Sequence, residues 1–216
     1  LEPPGPRLVE GLARDHGIEL EREDAERAFG AEILYYRAHH LQGRDGGSLA
    51  DLRMRCAGVL REGLPRPVKA AISQEQLLRV MLDCLHFNVF ADVRPALMRL
   101  REEGLLLVVV SNWDISLRAT LTDAGLADLL DDVLSSAEAG HQKPQRAIFD
   151  AALQRAGVAS AQAIHVGDSS ELDVDGASSA GLAVVLLRRD RADGSEPGDG
   201  GTPVISSLEQ LPALVA

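Results

Sequence analysis

Aromatic residues are scarce: Phe, Tyr and Trp together make up 3% of 216 positions. Large rings therefore cannot fill the core, and Leu, Val and Ala must do so. Cysteine is almost missing too. Cys56 and Cys84 are the whole supply, which excludes a disulfide framework. Both fall in helical patterns and are expected to be buried free thiols in a reducing cytoplasm. Positive charge is short. Lys and Arg number 22 against 33 Asp and Glu, for a net charge of −11. That excludes general nucleic-acid binding and adhesion to anionic membranes, which need basic surface. Long hydrophobic runs are also lacking. No stretch approaches the roughly 20 apolar residues of a bilayer span, and none reads as a secretory signal. What is present, 45% apolar and 25% charged residues, reads as a cytoplasmic globular protein of one large domain or two small ones.

Two rhythms divide the chain. Residues 6 to 90 are helical in pattern. "PRLVEGLARDHG" is amphipathic and stops at Gly17; "REDAERAFGAEILYYRAHH" is long and apolar on one face. "SLADLRMRCAGVLREGL" opens with Ser48 and Asp51 at capping-box spacing, and "SQEQLLRVMLDCLHF" with Ser73 and Gln76. After residue 90, apolar runs alternate with helical ones. "DVRPALMRLREEG" is a helix closed by Gly104, and "LLLVVV" reads as a strand buried on both faces. A helix over 115–124, the strand "DDVLSS", a helix over 145–156 and the strand "QAIHV" follow. The chain ends with a short helix "VDGASSAG", the strand "AVVLLR", a polar and mobile loop over 190–202, a short strand "VIS", and a helix capped by Ser206 with Glu209. Alternation of this kind predicts an α/β fold, with a parallel sheet flanked by helices.

Ligands of open parallel sheets bind beyond the carboxyl ends of the strands. There the first strand delivers Ser111 and Asn112, and the second delivers Ser135, Ser136 and Glu138. Lys143 follows, and the next strand delivers Asp168 in "IHVGDSSELDVDG". Two carboxylates about 6 Å apart repel by roughly 3 kcal/mol at an effective dielectric near 20, and a divalent cation would reverse that sign. One or two carboxylates plus phosphate oxygens suit magnesium. Ser111 and Asn112 could hydrogen-bond phosphate oxygens, and Lys143 could neutralise them as a point charge. Each residue also admits a plainer role. Ser111 and Asn112 could turn the chain, Lys143 could be a surface lysine, and Asp173 could cap the next helix. Glu171 and Asp175 read as solvated, His141 and His165 as structural. His39 and His40 have no third ligand at useful spacing.

The order of these segments resembles the haloacid dehalogenase-like superfamily of hydrolases, most closely its phosphatases with a helical cap. "VVVSNWD" is similar to that family's second motif, which implies Ser111 as the phosphate-binding hydroxyl. "GHQKPQRAIFDAAL" resembles the third, with Lys143 as its cation. "HVGDSSELDVDGASSAG" resembles the fourth, with Asp168 as a magnesium ligand and Asp173 in support. The resemblance implies a Rossmann-like core over 91–216 and an inserted all-helical cap over 6–90. It also implies Mg2+ as cofactor and a small phosphorylated substrate, with Tyr35, Tyr36 and Arg44 as cap residues that select it. A monomer and a homodimer are both compatible with the sequence.

The family's first motif, a strand ending in Asp-x-Asp-x-Thr, has no counterpart here. "LEPPGPRLVEG" looks like the stretch just behind it, and residues 1–5 are that segment. Five buried apolar side chains of a central strand contribute roughly 8–15 kcal/mol, as much as a typical domain's whole stability. The expectation is therefore that the strand with the nucleophilic aspartate lies outside the given sequence, and that the chain as given is inactive without it. A non-catalytic protein of the same fold is the alternative. A 2-haloacid dehalogenase is a lesser one, because the Gly167-Asp168 pair favours phosphatases.

Overall fold

The structure, a computed structural model, describes residues 2–190 and 201–215. Most of the loop expected to be mobile, 191–200, lies outside the described residues. The chain divides into two compact units, Leu1–Asn88 and Val89–Ala216.

The first unit is all-helical: α1 (Pro4–His16), α2 (Arg22–His39), α3 (Gly46–Gly63), α4 (Arg66–Ala71) and α5 (Gln74–Asp83). Leu8 and Leu12, one turn apart on α1, meet Phe29 of α2, Leu52 and Leu60 of α3, and Leu77 and Met81 of α5 in one apolar cluster. Gly63 lets α3 end against α2, since a Cβ there would sit 2.8 Å from the Ala28 backbone. Cys56 and Cys84 are buried free thiols within this cluster. Burial pushes the Cys84 thiol up to about 12, and its Sγ donates to the Val80 carbonyl at 3.0 Å. The start of α3 corrects the expected cap. Asp45, not Ser48, caps the helix, and Ser48 is the reciprocal partner three residues on. The Ser48 N–H donates to Asp45 Oδ1 at 2.8 Å, and Ser48 Oγ accepts from the Asp45 N–H at 3.0 Å. Ser73 and Gln76 form their box at α5 as expected.

The second unit runs α6 (Val93–Glu102), β1 (Val108–Ser111), α7 (Leu117–Asp123), β2 (Asp132–Ser135), α8 (Ser136–Ala139), α9 (Arg146–Ala156) and β3 (Ile164–Gly167). It continues through a wide helical turn at Ser170–Asp175 into α10 (Gly176–Ser179), β4 (Ala183–Leu187), β5 (Val204–Ile205) and α11 (Pro212–Val215). All strand pairs are parallel, but the described strands form two pieces. β1 pairs with β2, in a register that sets Ser111 beside Ser135. β3 pairs with β4 and β4 with β5. The two pieces share their apolar layers. On one side Val110 and Leu134 pack with Val184 against Ile148 and Phe149 of α9 and Ala177 of α10. In another cluster Leu100 of α6 packs with Leu107, Val166, Val185 and Ile205. One lateral edge of β1 and one of β3 thus carry no strand partner among the described residues.

β1 is shorter than the apolar run promised. Leu105 and Leu106 precede it and are 38% and 59% exposed. Leu107 bonds to Asp131 through both its N–H and its carbonyl before regular pairing begins at Val108. The last cap also shifts by one residue, to Ser207, whose N–H donates to Gln210 Oε1 at 3.2 Å.

Candidate active site

β1 and β3 end at the same rim of the second unit, and the loops beyond them carry the candidate residues. Ser111 closes β1. Among the described residues its hydroxyl has no hydrogen-bond partner, so it is available to a ligand. The next residue, Asn112, spends its amide on the backbone of Lys143. Its Oδ1 accepts from the Lys143 N–H at 2.7 Å, and its Nδ2 donates to the Lys143 carbonyl at 3.0 Å. Asn112, expected as a phosphate contact, uses its side chain in the structure to brace the lysine loop. Ser135, Ser136 and Glu138 are also structural. Ser135 and Glu138 cap α8 reciprocally, and Ser136 Oγ brackets the Trp113 backbone at 3.0 Å on both its N–H and its carbonyl.

The centre of the site is Asp173, which is 2% exposed. Lys143 Nζ donates to its Oδ1 at 2.6 Å, and His165 Nε2 lies 2.8 Å from the same oxygen. The Ser169 N–H donates to Oδ2 at 3.0 Å. Burial alone would push this carboxyl up. The His165 hydrogen bond, the Lys143 charge and hydrogen bond, and the Ser169 N–H outweigh it and hold the group well below the usual carboxylate range. Gly167 makes room for this arrangement, since a Cβ there would fall 2.1 Å from Asp173 Cγ. Asp173 therefore stands behind the site with its carboxylate engaged.

Asp168 is the opposite case. It is exposed at the end of β3, and its carboxylate has no partner among the described residues. Its backbone is fixed instead. Arg188, just after β4, donates to the Asp168 carbonyl and, at 3.1 Å, to Ser170 Oγ. Glu171 and Asp175 are exposed. The site thus pairs one free hydroxyl and one oriented ammonium with one free carboxylate. No three His, Cys, Asp or Glu among the described residues form a metal-ligating group. Asp168 fits magnesium as a single carboxylate ligand, the kind of site that phosphate oxygens and waters complete.

Two contributors were not legible beforehand. His165, read as structural, touches Asp173; the available signal was its parity with Gly167, since residues two apart on a strand share a face. Arg188 gave no signal beyond its place after a strand. The expected substrate-selecting residues lie in the first unit, Tyr35 and Tyr36 half-buried and Arg44 exposed. Tyr35 and Tyr36 pack against its apolar cluster, Tyr35 stacks on His39 at 4.0 Å, and Arg44 Nε donates to the Leu41 carbonyl at 3.0 Å. His39 and His40 each place Nδ1 on a backbone carbonyl, that of Tyr35 and of Arg37.

Comparison with known proteins places the chain in a family. Residues 9–181 match the model of a hydrolase family described as haloacid dehalogenase-like hydrolase. The chain is 34% identical to haloacid dehalogenase-like hydrolase domain-containing protein 3 of Mus musculus, over 94% of this chain and 83% of that protein. It is 28% identical to the ribulose-1,5-bisphosphate 5-phosphatase of Halopiger xanaduensis, over 91% and 84%. Among solved structures, a HAD phosphatase from Thermococcus onnurineus superposes with a TM-score of 0.65 at 27% identity, over 100% of this chain and 91% of that one. No described helix is long and apolar enough to cross a membrane.

Proposed function

From the premise that the chain belongs to the haloacid dehalogenase-like hydrolases, we propose that it is a magnesium-dependent phosphatase of small phosphorylated metabolites. The observation that carries this is the rim where Ser111 and Asp168 are free while Lys143 is held in place by Asp173. A phosphate seated there accepts from the Ser111 hydroxyl. It meets the Lys143 ammonium, whose position Asp173 fixes from one side and Asn112 from the backbone. Asp168 is the residue that would hold magnesium, which when bound supplies a positive charge against the phosphate oxygens. The phosphatase names among the relatives support the substrate class.

The attacking group in this reading is a carboxylate that forms an aspartyl-phosphate, later released by water. We assign it to a strand pairing with the open edges of β1 and β3. Such a strand would join the two sheet pieces and end beside Ser111 and Asp168. Tyr35, Tyr36 and Arg44 are the candidate substrate selectors, and two free thiols support a cytoplasmic setting. The alternative reading is a non-catalytic phosphate-binding protein of the same fold.

Turnover of p-nitrophenyl phosphate with magnesium, by protein expressed from the full coding sequence, separates the two. Asp168→Asn should lower the rate at least about a hundredfold, roughly 2.7 kcal/mol of transition-state stabilisation. Equal rates would remove Asp168 from the metal site, and no turnover by the parent protein would favour the non-catalytic reading. Halide release from 2-haloacids without magnesium would point to a dehalogenase.

A further inference from the structure

We infer that His165 is a positioning residue for Lys143: its Nε2 donates to Asp173 Oδ1 and fixes the carboxylate that in turn fixes the ammonium. This rests on the reading of Lys143 as the phosphate-binding cation. Oδ1 of Asp173 is shared, with Lys143 Nζ at 2.6 Å and His165 Nε2 at 2.8 Å, while Oδ2 is tied to the Ser169 N–H at 3.0 Å. Three donors from three segments leave the carboxylate no rotational freedom. Without the imidazole, Oδ1 has only the lysine to hold it, and a lysine on a four-carbon stem follows its partner as readily as it leads.

The surroundings of His165 are arranged for this contact. His165 and Gly167 share one face of β3, and the missing side chain at Gly167 lets the carboxylate lie close over the strand. The ring is set edge-on to Phe149, with centroids 5.1 Å apart and planes at 85°, while Nε2 faces Asp173 Oδ1 at 2.8 Å. Asp173 is an ionised acceptor with no proton to give, so Nε2 carries the hydrogen in either charge state of the ring. A packing role alone would need a ring at this position but no donor.

The test is the affinity of the full chain for inorganic phosphate in the presence of magnesium, by calorimetry, for wild type, His165→Gln, His165→Asn and Lys143→Met. The Gln amide nitrogen reaches about as far as imidazole Nε2, whereas the Asn amide stops near Nδ1. His165→Asn should weaken phosphate about tenfold or more, as removal of an orienting partner does elsewhere, and His165→Gln should stay within about threefold of wild type. If Asn and Gln variants bind alike, whether both tightly or both weakly, while Lys143→Met is weakened, the positioning role is wrong. If Lys143→Met binds as wild type does, the phosphate reading fails and the role of His165 falls with it. A nitrogen-15 spectrum of the wild-type ring gives an independent check that needs no variant. A protonated Nε2 is expected, and an Nδ1-protonated neutral ring would overturn the inference.

Discussion

Replacing Asp173 with Asn changes one atom and one charge, and leaves the Lys143 ammonium against a neutral amide that points a donor at it or offers a weak acceptor. The lysine side chain is 14% exposed and that of Asp173 3%, so the ammonium cannot recover full hydration without moving. Breaking a buried ion pair by removing one partner costs about 3–5 kcal/mol. The residual access of Lys143 to water puts the expected loss near the lower end, about 3 kcal/mol. For a chain of this size that lowers Tm by roughly 6–12 °C. The pH dependence carries its own sign. The folded-state pKa of Asp173 is depressed, so its stabilisation is complete above the unfolded value near 3.9. It is lost as pH falls below that value, at about 1.4 kcal/mol per pH unit. Urea unfolding followed by circular dichroism at several pH values should show a constant gap between wild type and Asp173→Asn from pH 6 to 8, closing below pH 4. Adding Lys143→Met to Asp173→Leu should cost less than Asp173→Asn alone, since no charge is then stranded. A loss under about 1 kcal/mol at pH 7, or a gap that does not close in acid, would refute the argument that this pair is a buried, mutually dependent unit.

Three other substitutions and reagents probe separate parts of the molecule. Burial raises the Glu32 carboxyl, only partly offset by a hydrogen bond with Cys56. A raised folded pKa means stability is present below the unfolded value and lost as pH rises, so Glu32→Gln should melt higher than wild type at pH 8 and equally near pH 4. Gly167→Ala would place a Cβ 2.1 Å from Asp173 Cγ, and the overpacking should cost about 1–3 kcal/mol in urea melts and weaken phosphate binding. Cys84, buried with its thiol pushed up to about 12, should resist iodoacetamide at pH 8 until the chain is unfolded.

What could be read beforehand was whatever strand and helix periodicity places. Ser111 and Asp168 are legible because each ends an apolar run at the rim where parallel sheets bind ligands. The helix after Pro144 and its stop at Gly157 (φ +70°) follow from local rules. What was not legible was made by side chains reaching across the sequence. Asn112 braces Lys143 from 31 residues away, Arg188 clamps Asp168 from 20 away, and His165 meets Asp173 across a turn. None of these leaves a periodic trace. Caps failed for a different reason. Several Ser and Asp residues near one helix start satisfy the same spacing, so Asp45 with Ser48 could not be told from Ser48 with Asp51 by pattern alone. The overlong reading of "LLLVVV" came from treating the whole apolar run as a strand buried on both faces, whereas pairing begins at Val108 and Leu105 and Leu106 before it are exposed.

In the proposed reading, Ser111, Lys143 and Asp168 form one phosphate site. A crystal structure of the protein grown with magnesium and inorganic phosphate would show whether they do. The prediction is a phosphate within hydrogen-bond reach of both Ser111 Oγ and Lys143 Nζ, with magnesium on an Asp168 oxygen and Asp173 unmoved behind the lysine. Phosphate bound elsewhere, or at this rim without contact to Lys143, would contradict it.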